Sequence, residues 1–183
     1  MTQQPTLFVF VTAAGAAKII PHLLARCVQA RWITYTVVSP NVEQVLPVTT
    51  IYDLPGCQAI RAYGQPPLDR FPFGTMLVAP CTFNTLNKLA HGFADGLVTS
   101  MVADALGRGC PIFIAPAMNV GLWRHPQTHA SLERLRHWGC QIIGPRPNPN
   151  TGEMAPLSEI FVRLEHHFSA DKDVIQDSDA APG

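Results

Sequence analysis

The chain has 183 residues, 47% of them apolar and 14% charged, which is enough to bury one sizeable core. Acidic and basic residues balance to a formal net charge of zero, which argues against a basic surface for nucleic acid or for an anionic membrane. No apolar run approaches the roughly 20 residues of a membrane span and no basic segment opens the chain, so we expect a cytoplasmic protein.

The first predicted unit is a strand, a turn of small residues and a helix. Residues 7–11 form an unbroken apolar run, residues 12–17 read TAAGAA, and residues 19–24 show helical spacing. Such a turn exposes backbone N–H groups that suit a phosphate, and Thr12 adds a hydroxyl. Alternatively, the small residues only let the helix pack closely on the sheet.

A second predicted strand, residues 32–38, is rich in β-branched and aromatic residues and ends at Ser39, a second candidate phosphate hydroxyl. Prolines then interrupt the pattern as far as residue 73. Within that stretch we predict only a short helix at 41–46 and a short strand at 58–62.

The rest of the chain alternates between strand and helix. We predict strands at 75–79, 111–115 and 141–143, and helices around 86–93, at 97–106, at 127–138 and at 159–168, the last capped by Ser158. The alternation predicts an α/β fold: a doubly wound, Rossmann-like or flavodoxin-like parallel sheet with helices on both faces. Residues 1–168 are expected to form a single domain and 169–183 a disordered tail.

The stretch after the 111–115 strand carries the groups best suited to a ligand. Met118 and Trp123 offer apolar faces, Asn119 offers a donor and an acceptor, and Gly121 lets backbone come close. Ligands bind at the carboxyl ends of strands in open parallel sheets. The five cysteines form no CxxC pair, so they predict no metal site and are expected to be mostly buried thiols.

Three stretches resemble a known family. Residues 79–97 read APCTFNTLNKLAHGFADGL and resemble its APxSANTxxKxAxGxADNL segment. Residues 116–123, PAMNVGLW, resemble its PxMNxxMW motif, and residues 152–156, GEMAP, are similar to the GxMAEP end of its substrate clamp. The chain is identified as a member of the homo-oligomeric flavin-containing cysteine decarboxylases, which act on phosphopantothenoylcysteine or on the C-terminal cysteine of lantibiotic-type precursor peptides.

The resemblance implies FMN at a subunit interface of a homotrimer or of a dodecamer of trimers. The residues that it places at the phosphate and ribityl chain are Thr12, Ala13, Ala14, Gly15, Ser39, Phe83, Asn84 and Thr85. It places Ala117 and Met118 near the flavin, Asn119 at the substrate carboxylate, and Met154 on a loop that closes over the substrate.

Two departures from the family pattern concern proton transfer. The family has a His before the strand that leads into APxxxNT, whereas residues 65–74 here read QPPLDRFPFG. Either Asp69 substitutes, a His from elsewhere such as His125 arrives, or the thiol-oxidising step is lost. His91 is expected to be an ordinary helix residue.

The second departure is a missing clamp Cys, since no Cys follows residue 140 and Arg146 stands near its place. This absence favours release of an oxidised enethiol, so we predict an oxidative decarboxylase of a cysteine or thio-containing peptide C-terminus, with Arg146 pairing with a substrate carboxylate or facing solvent. The alternative is an FMN-binding protein without decarboxylase activity, serving a regulatory, assembly or redox role. A flavin prenyltransferase is less favoured because that branch has other signatures in place of PAMN.

Overall fold

In the computed structural model, the described residues are 4–64, 68, 70–144 and 152–179. The strands are β1 (Thr6–Val11), β2 (Ile33–Val38), β3 (Cys57–Ile60), β4 (Thr75–Cys81), β5 (Ile112–Pro116) and β6 (Gln141–Ile142). The helices are α1 (Ile20–Gln29), α2 (Thr49–Tyr52), α3 (Phe83–Ala90), α4 (Leu97–Gly107), α5 (Val120–Trp123), α6 (Pro126–His137) and α7 (Leu157–Asp179). Short 3₁₀ segments cover Gly15–Ile19 and Pro40–Gln44.

The strands form one six-stranded sheet in the order β3-β2-β1-β4-β5-β6, and every neighbouring pair is parallel. This order confirms the predicted doubly wound fold. After β1 the chain builds outward through β2 and β3, and it then returns to the other side of β1 to add β4. The topological switch point therefore lies between β1 and β4, where open α/β sheets form their ligand crevice.

Both faces of the sheet are covered, which explains the unbroken apolar strands in the sequence. Side chains alternate between faces along β1: Leu7 and Val9 belong to one buried cluster, Phe8 and Phe10 to the other. Helices α1 and α7 supply the first cluster, and α3, α4 and α6 supply the second. The helices thus hold the strand ends rigidly around the switch point.

Two short helices and the start of β2 differ from the sequence prediction for identifiable reasons. Helices α2 and α5 were not predicted, since four residues are too few to show a helical period. Trp32 precedes β2 and stacks on Phe161 of α7, with ring centroids 4.9 Å apart. The aromatic ring at position 32 therefore packs against α7, and the residue does not belong to the strand.

Helix α7 begins earlier and ends later than predicted. Its first backbone bonds run from Glu159 and Ile160 to the Pro156 carbonyl, so Ser158 lies inside the first turn and is not the cap. The helix continues to Asp179, into the tail that was expected to be disordered. No glycine or proline interrupts residues 157–179, so nothing in the sequence stops helix propagation after Phe168. None of the described helices has the length and apolar character needed to cross a membrane.

Candidate functional site

A cleft of about 910 Å³ opens at the carboxyl ends of β1, β2, β4 and β5. The segments that follow these strands supply most of its walls, and residues 152–154 supply another. The position is the one that the topological switch between β1 and β4 predicts. Its volume lies in the range of small-molecule and cofactor sites.

The turn after β1 forms one end of the cleft. Ala13, Ala14 and Gly15 all line it, as predicted from the sequence. A Cβ built on Gly15 would meet no atom within 4 Å, so the turn is open on its cleft side. Ser39 lines the same region from the end of β2, next to Asn41. Hydroxyl, amide and backbone groups therefore surround this end of the cleft with few bulky side chains.

Thr12 is not among the residues that line the cleft. Its side chain is 1% exposed, and its hydroxyl donates to the Pro80 carbonyl at 2.7 Å and accepts from the Thr82 N–H at 3.1 Å. The hydroxyl is thus engaged between the ends of β1 and β4, beneath the cleft. These two bonds make Thr12 a positioning residue for the two turns, and its direct contact with FMN stays a prediction.

This role predicts that Thr12→Val destabilises the ligand-free chain. The substitution leaves the Pro80 carbonyl and the Thr82 N–H without their partner, at a cost of about 1–3 kcal/mol. Thr12→Ser keeps both hydrogen bonds and is expected to unfold close to the original chain in a urea titration. A Thr12→Val chain as stable as the original, but with weakened ligand binding, would favour direct ligand contact instead.

The turn after β4 runs directly into α3. The Thr82 hydroxyl accepts from the Thr85 backbone N–H at 3.4 Å and so caps the helix. This cap brings Phe83, Asn84 and Thr85 to the cleft, where all three contribute to its wall as predicted. Phe83 is apolar, and Asn84 is exposed with an amide that can reach a ligand.

The turn after β5 presents Ala117, Met118 and Asn119 to the cleft. The Asn119 side-chain oxygen accepts from the Leu122 N–H at 2.9 Å and caps α5. A backbone N–H needs an acceptor, so this contact assigns the oxygen and leaves the amide NH₂ as the free end. Asn119 therefore offers donors, which are what a carboxylate requires.

Residues 152–154 are held against the β5 turn. The Met118 N–H donates to the Gly152 carbonyl at 2.9 Å. A Cβ on Gly152, whose φ is +68°, would lie 2.6 Å from the Met118 carbonyl oxygen and 2.8 Å from the Trp123 Cβ. Only glycine fits this approach.

Met154 lines the cleft, but its side chain is 9% exposed and belongs to a core cluster. Met154 is thus anchored in the core where it lines the cleft, and its place on a loop that closes over a substrate stays a prediction.

His125 is not brought to the cleft. Its Nδ1 accepts from the Gln127 N–H at 3.0 Å and caps α6, and its ring meets Phe83 edge-on with centroids 5.4 Å apart. The sequence suggested a catalytic role because His125 follows the PAMN segment closely. The intervening α5 turns the chain away. His91 ends α3 as an exposed residue, with Nδ1 2.8 Å from the Asn87 carbonyl oxygen.

An ion pair that the sequence analysis did not single out also lines the cleft. Lys88 of α3 and Asp95, which precedes α4, are joined by an Nζ–Oδ2 contact of 2.6 Å. The hydrogen bond from Lys88 holds the pKa of Asp95 below its usual range. Asp95 also accepts from the Thr99 hydroxyl at 3.3 Å, which ties the pair to the first turn of α4. Both residues lie within residues 79–97, the segment that resembles the family, and this was the sequence signal that could have placed them at the site.

None of the five cysteines, all of which the structure describes, lines the cleft. Cys81 is fully buried, and burial raises its pKa, as it raises that of Cys140 to about 11. Such thiols are unreactive. Within the described part of the chain, no group of three or more His, Cys, Asp or Glu side chains is arranged to hold a metal. Asp69 and Arg146 fall outside the described residues.

Comparison with known proteins identifies relatives of the chain. The family described as Flavoprotein matches residues 1–168. The mouse (Mus musculus) phosphopantothenoylcysteine decarboxylase is 31% identical over 142 residues, which are 73% of this chain and 69% of that protein. A probable phosphopantothenoylcysteine decarboxylase of Streptococcus mutans is 40% identical over 98 residues, covering 50% of this chain and 54% of the relative. The chain thus spans about half the length of this bacterial relative.

Solved structures share the fold at lower identity. A mutant phosphopantothenoylcysteine decarboxylase complexed with pantothenoylaminoethenethiol superposes with a TM-score of 0.75 at 23% identity, covering 91% of this chain and 100% of that one. The FMN-binding protein AtHal3 gives 0.77 at 22%, covering 92% and 98%. The peptidyl-cysteine decarboxylase EpiD gives 0.71 at 22%, covering 87% and 97%.

Proposed function

Because this chain belongs to the Flavoprotein family, we propose that it binds FMN in the cleft and oxidatively decarboxylates the C-terminal cysteine of a peptide. The observation that carries the proposal is the position of Asn119, whose free amide NH₂ lies at the carboxyl end of β5 in the cleft. The names of its relatives support both parts, since they include decarboxylases, an FMN-binding protein and a peptidyl-cysteine decarboxylase.

The residues of the cleft fit FMN in their chemistry. Met118, Leu122 and Phe83 offer apolar surface for a flat ring system. The Ala13–Gly15 turn and Ser39 lie together at one end and would receive the phosphate through backbone N–H groups and a hydroxyl. Asn84 and Thr85 would contact the ribityl chain. Thr12 would contribute to FMN binding by holding the turns after β1 and β4 together through its bonds to Pro80 and Thr82.

Decarboxylation of cysteine needs a way to stabilise the electron pair left when carbon dioxide departs. Bound FMN supplies a two-electron acceptor that oxidises the thiol-bearing carbon, so that the pair left by carbon dioxide is delocalised toward sulfur. The net change is loss of carbon dioxide and of two electrons with two protons, which leaves an enethiol. A further turnover would require dioxygen or another acceptor to take up those electrons.

Asn119 would hold the substrate carboxylate through neutral N–H donors. A neutral amide fixes the position of the carboxylate without the strong stabilisation that a cation would give to the ground state. Departure of carbon dioxide removes the negative charge from this position. Neutral N–H donors lose little interaction energy in that step, so they do not oppose it. The apolar surface of Met118 and Leu122 would exclude water from the reacting carbon.

Oxidation of the substrate also requires a group that accepts the thiol proton. Among the residues that the structure describes, no histidine lines the cleft. Asp69 and Arg146 remain candidates from the sequence, for the thiol proton and for a substrate carboxylate. In a homo-oligomer, a neighbouring copy is a further source of such groups. Ile19 and Leu122, which are 42% and 36% exposed at the cleft, support an interface there.

A second function is favoured by the same absence of a histidine among the described cleft residues. The chain would then bind FMN as a regulatory, assembly or redox subunit without decarboxylating a substrate. This function uses the same cofactor-binding walls and needs no thiol-oxidising step.

Purified protein incubated with a Cys-terminated peptide separates these functions. We expect the protein to be yellow, to release FMN on denaturation, and to lose flavin absorbance when the peptide is added without air. Mass spectrometry should then find peptide lacking carbon dioxide and two hydrogens. A yellow protein whose absorbance does not change with a range of such peptides would favour the second function. Failure to bind added FMN would exclude both.

A further inference from the structure

The charges that line the cleft do not balance. The titratable side chains in its described wall are Lys88, Asp95 and Glu153. Lys88 and Asp95 neutralise each other across 2.6 Å. Glu153 has no hydrogen-bond or ion-pair partner in the part of the chain that the structure describes, and its side chain is exposed. The described wall therefore presents one uncompensated negative charge.

The backbone holds Glu153 in place. Gly152 before it is bonded to Met118 and has no room for a Cβ, and Met154 after it is buried in the core. Glu153 thus has fixed neighbours on both sides. The Met118 N–H is bonded to the Gly152 carbonyl. Asn119 follows Met118 and Glu153 follows Gly152, so the two residues leave from the same contact. Both line the cleft.

This neighbourhood matters because of the shape of a cysteine substrate. The carboxylate and the α-nitrogen of cysteine are attached to the same carbon. If Asn119 receives the carboxylate, the nitrogen on the same carbon and the residue that precedes the cysteine would come within reach of Glu153, which lines the same cleft. A carboxylate there attracts a positive charge and repels a negative one.

We propose that Glu153 determines substrate specificity by selecting cysteine substrates that carry a cationic nitrogen next to the thiol-carboxylate unit. This inference rests on the proposed function and adds the charge of the substrate. The cation has two possible sources: the α-ammonium group of a free cysteine, or the side chain of a lysine or arginine that precedes a C-terminal cysteine. Substrates with an anionic group in that position are disfavoured.

Affinities of non-reacting serine analogues test the selection without requiring turnover. Isothermal titration calorimetry on the FMN-loaded protein would compare acetyl-Lys-Ser, acetyl-Ala-Ser and acetyl-Glu-Ser, and free serine against N-acetylserine. We expect the lysine peptide to bind roughly fivefold tighter than the alanine peptide and the glutamate peptide roughly fivefold more weakly, as for an exposed charge pair. A preference for free serine over N-acetylserine identifies the ammonium as the source. The differences should shrink at high salt.

Glu153→Gln should reduce these differences to less than about twofold, because glutamine keeps the size but not the charge. Glu133→Gln is the matched control. Glu133 is an exposed residue of α6, and its replacement changes the net charge of the chain by the same amount. The control should rank the peptides as the original chain does. Equal affinities for all peptides in the original chain, or an unchanged ranking in Glu153→Gln, would overturn the inference.

The corresponding Cys-terminated peptides separate this inference from the proposed function. Turnover of all of them at similar rates would contradict selection by charge but leave the decarboxylase intact. Charge-ranked binding without turnover would support Glu153 and count against the decarboxylase. Loss of turnover with every substrate in Glu153→Gln would show that Glu153 takes part in the reaction, which also overturns the inference.

Discussion

Asn119→Asp is expected to lower kcat/KM by roughly 100-fold or more while leaving FMN bound. Aspartate keeps the side-chain oxygen that accepts from the Leu122 N–H at 2.9 Å, and aspartate and asparagine cap helices about equally well. What changes is the outer end of the side chain, where the NH₂ donor becomes a second oxygen with a negative charge. A substrate carboxylate then loses a charge-assisted hydrogen bond, about 1.5–3 kcal/mol, and is also repelled.

Steady-state kinetics with a Cys-terminated peptide, alongside flavin absorbance and thermal unfolding, measure this effect. The stability and flavin content should match those of the original chain because the α5 cap is retained. An Asn119→Asp chain that turns over normally would show that Asn119 does not hold the carboxylate. Loss of FMN or of stability would instead assign Asn119 a structural role.

His125→Asn supplies the comparison. Asparagine keeps an acceptor for the Gln127 N–H that His125 Nδ1 caps at 3.0 Å. Because His125 lies behind Phe83 and does not line the cleft, we expect kcat/KM to stay within about twofold. A loss as large as that of Asn119→Asp would restore His125 as the proton acceptor suggested by the sequence.

Gly152→Ala is expected to destabilise the chain by about 2–5 kcal/mol and to weaken FMN binding. The new Cβ would lie 2.6 Å from the Met118 carbonyl oxygen and 2.8 Å from the Trp123 Cβ, two atoms that belong to a packed turn. Overpacking costs about 1–3 kcal/mol, and the positive φ of +68° adds about 1–2 kcal/mol for a residue with a side chain. Relief of the contact must move Met118, which forms a wall of the cleft.

Gly109→Ala separates the two costs. Gly109 has a φ of +74°, close to that of Gly152, but its Cβ would meet nothing within 4 Å. It should therefore lose only the conformational part, about 1–2 kcal/mol, and bind FMN normally. Chemical denaturation and flavin titration of both variants give the comparison. Coinciding unfolding curves, or unchanged FMN affinity in Gly152→Ala, would show that the contact with Met118 has little influence on the cleft.

Local signals were sufficient for much of the site. The family resemblance assigned residues at the ends of β4 and β5 to one FMN and substrate site, and Phe83, Asn84, Met118 and Asn119 do line one cleft. This worked because parallel strands bring their carboxyl ends to the same edge of a sheet, so order along the chain determines neighbourhood. The motifs that resemble the family lie at those ends, so their residues line the cleft, and the binding roles of these residues stay predictions.

Three features of the site were not predicted from the sequence. Thr12 bonds to Pro80, which is 68 residues away in the chain, so its engagement depends on how β1 and β4 are brought together. His125 is separated from Asn119 by α5, a helix too short to show a period. The pairing of Lys88 with Asp95 requires the loop between α3 and α4 to return the chain to the cleft.

The sequence by itself determined the fold class, the family and the edge of the sheet that carries the cleft. Apolar periodicity and turn residues act over a few neighbouring positions, and such short-range information specifies strands, helices and motifs. Tertiary structure alone decided which polar groups remain available to a ligand. The hydroxyl of Thr12 and Nδ1 of His125 are taken by backbone partners, whereas the NH₂ of Asn119 and the carboxylate of Glu153 are left at the cleft. Whether a polar group is free to bind a ligand can be decided only when all its neighbours in space are known. The reason is that buried donors and acceptors form hydrogen bonds with one another in the folded chain.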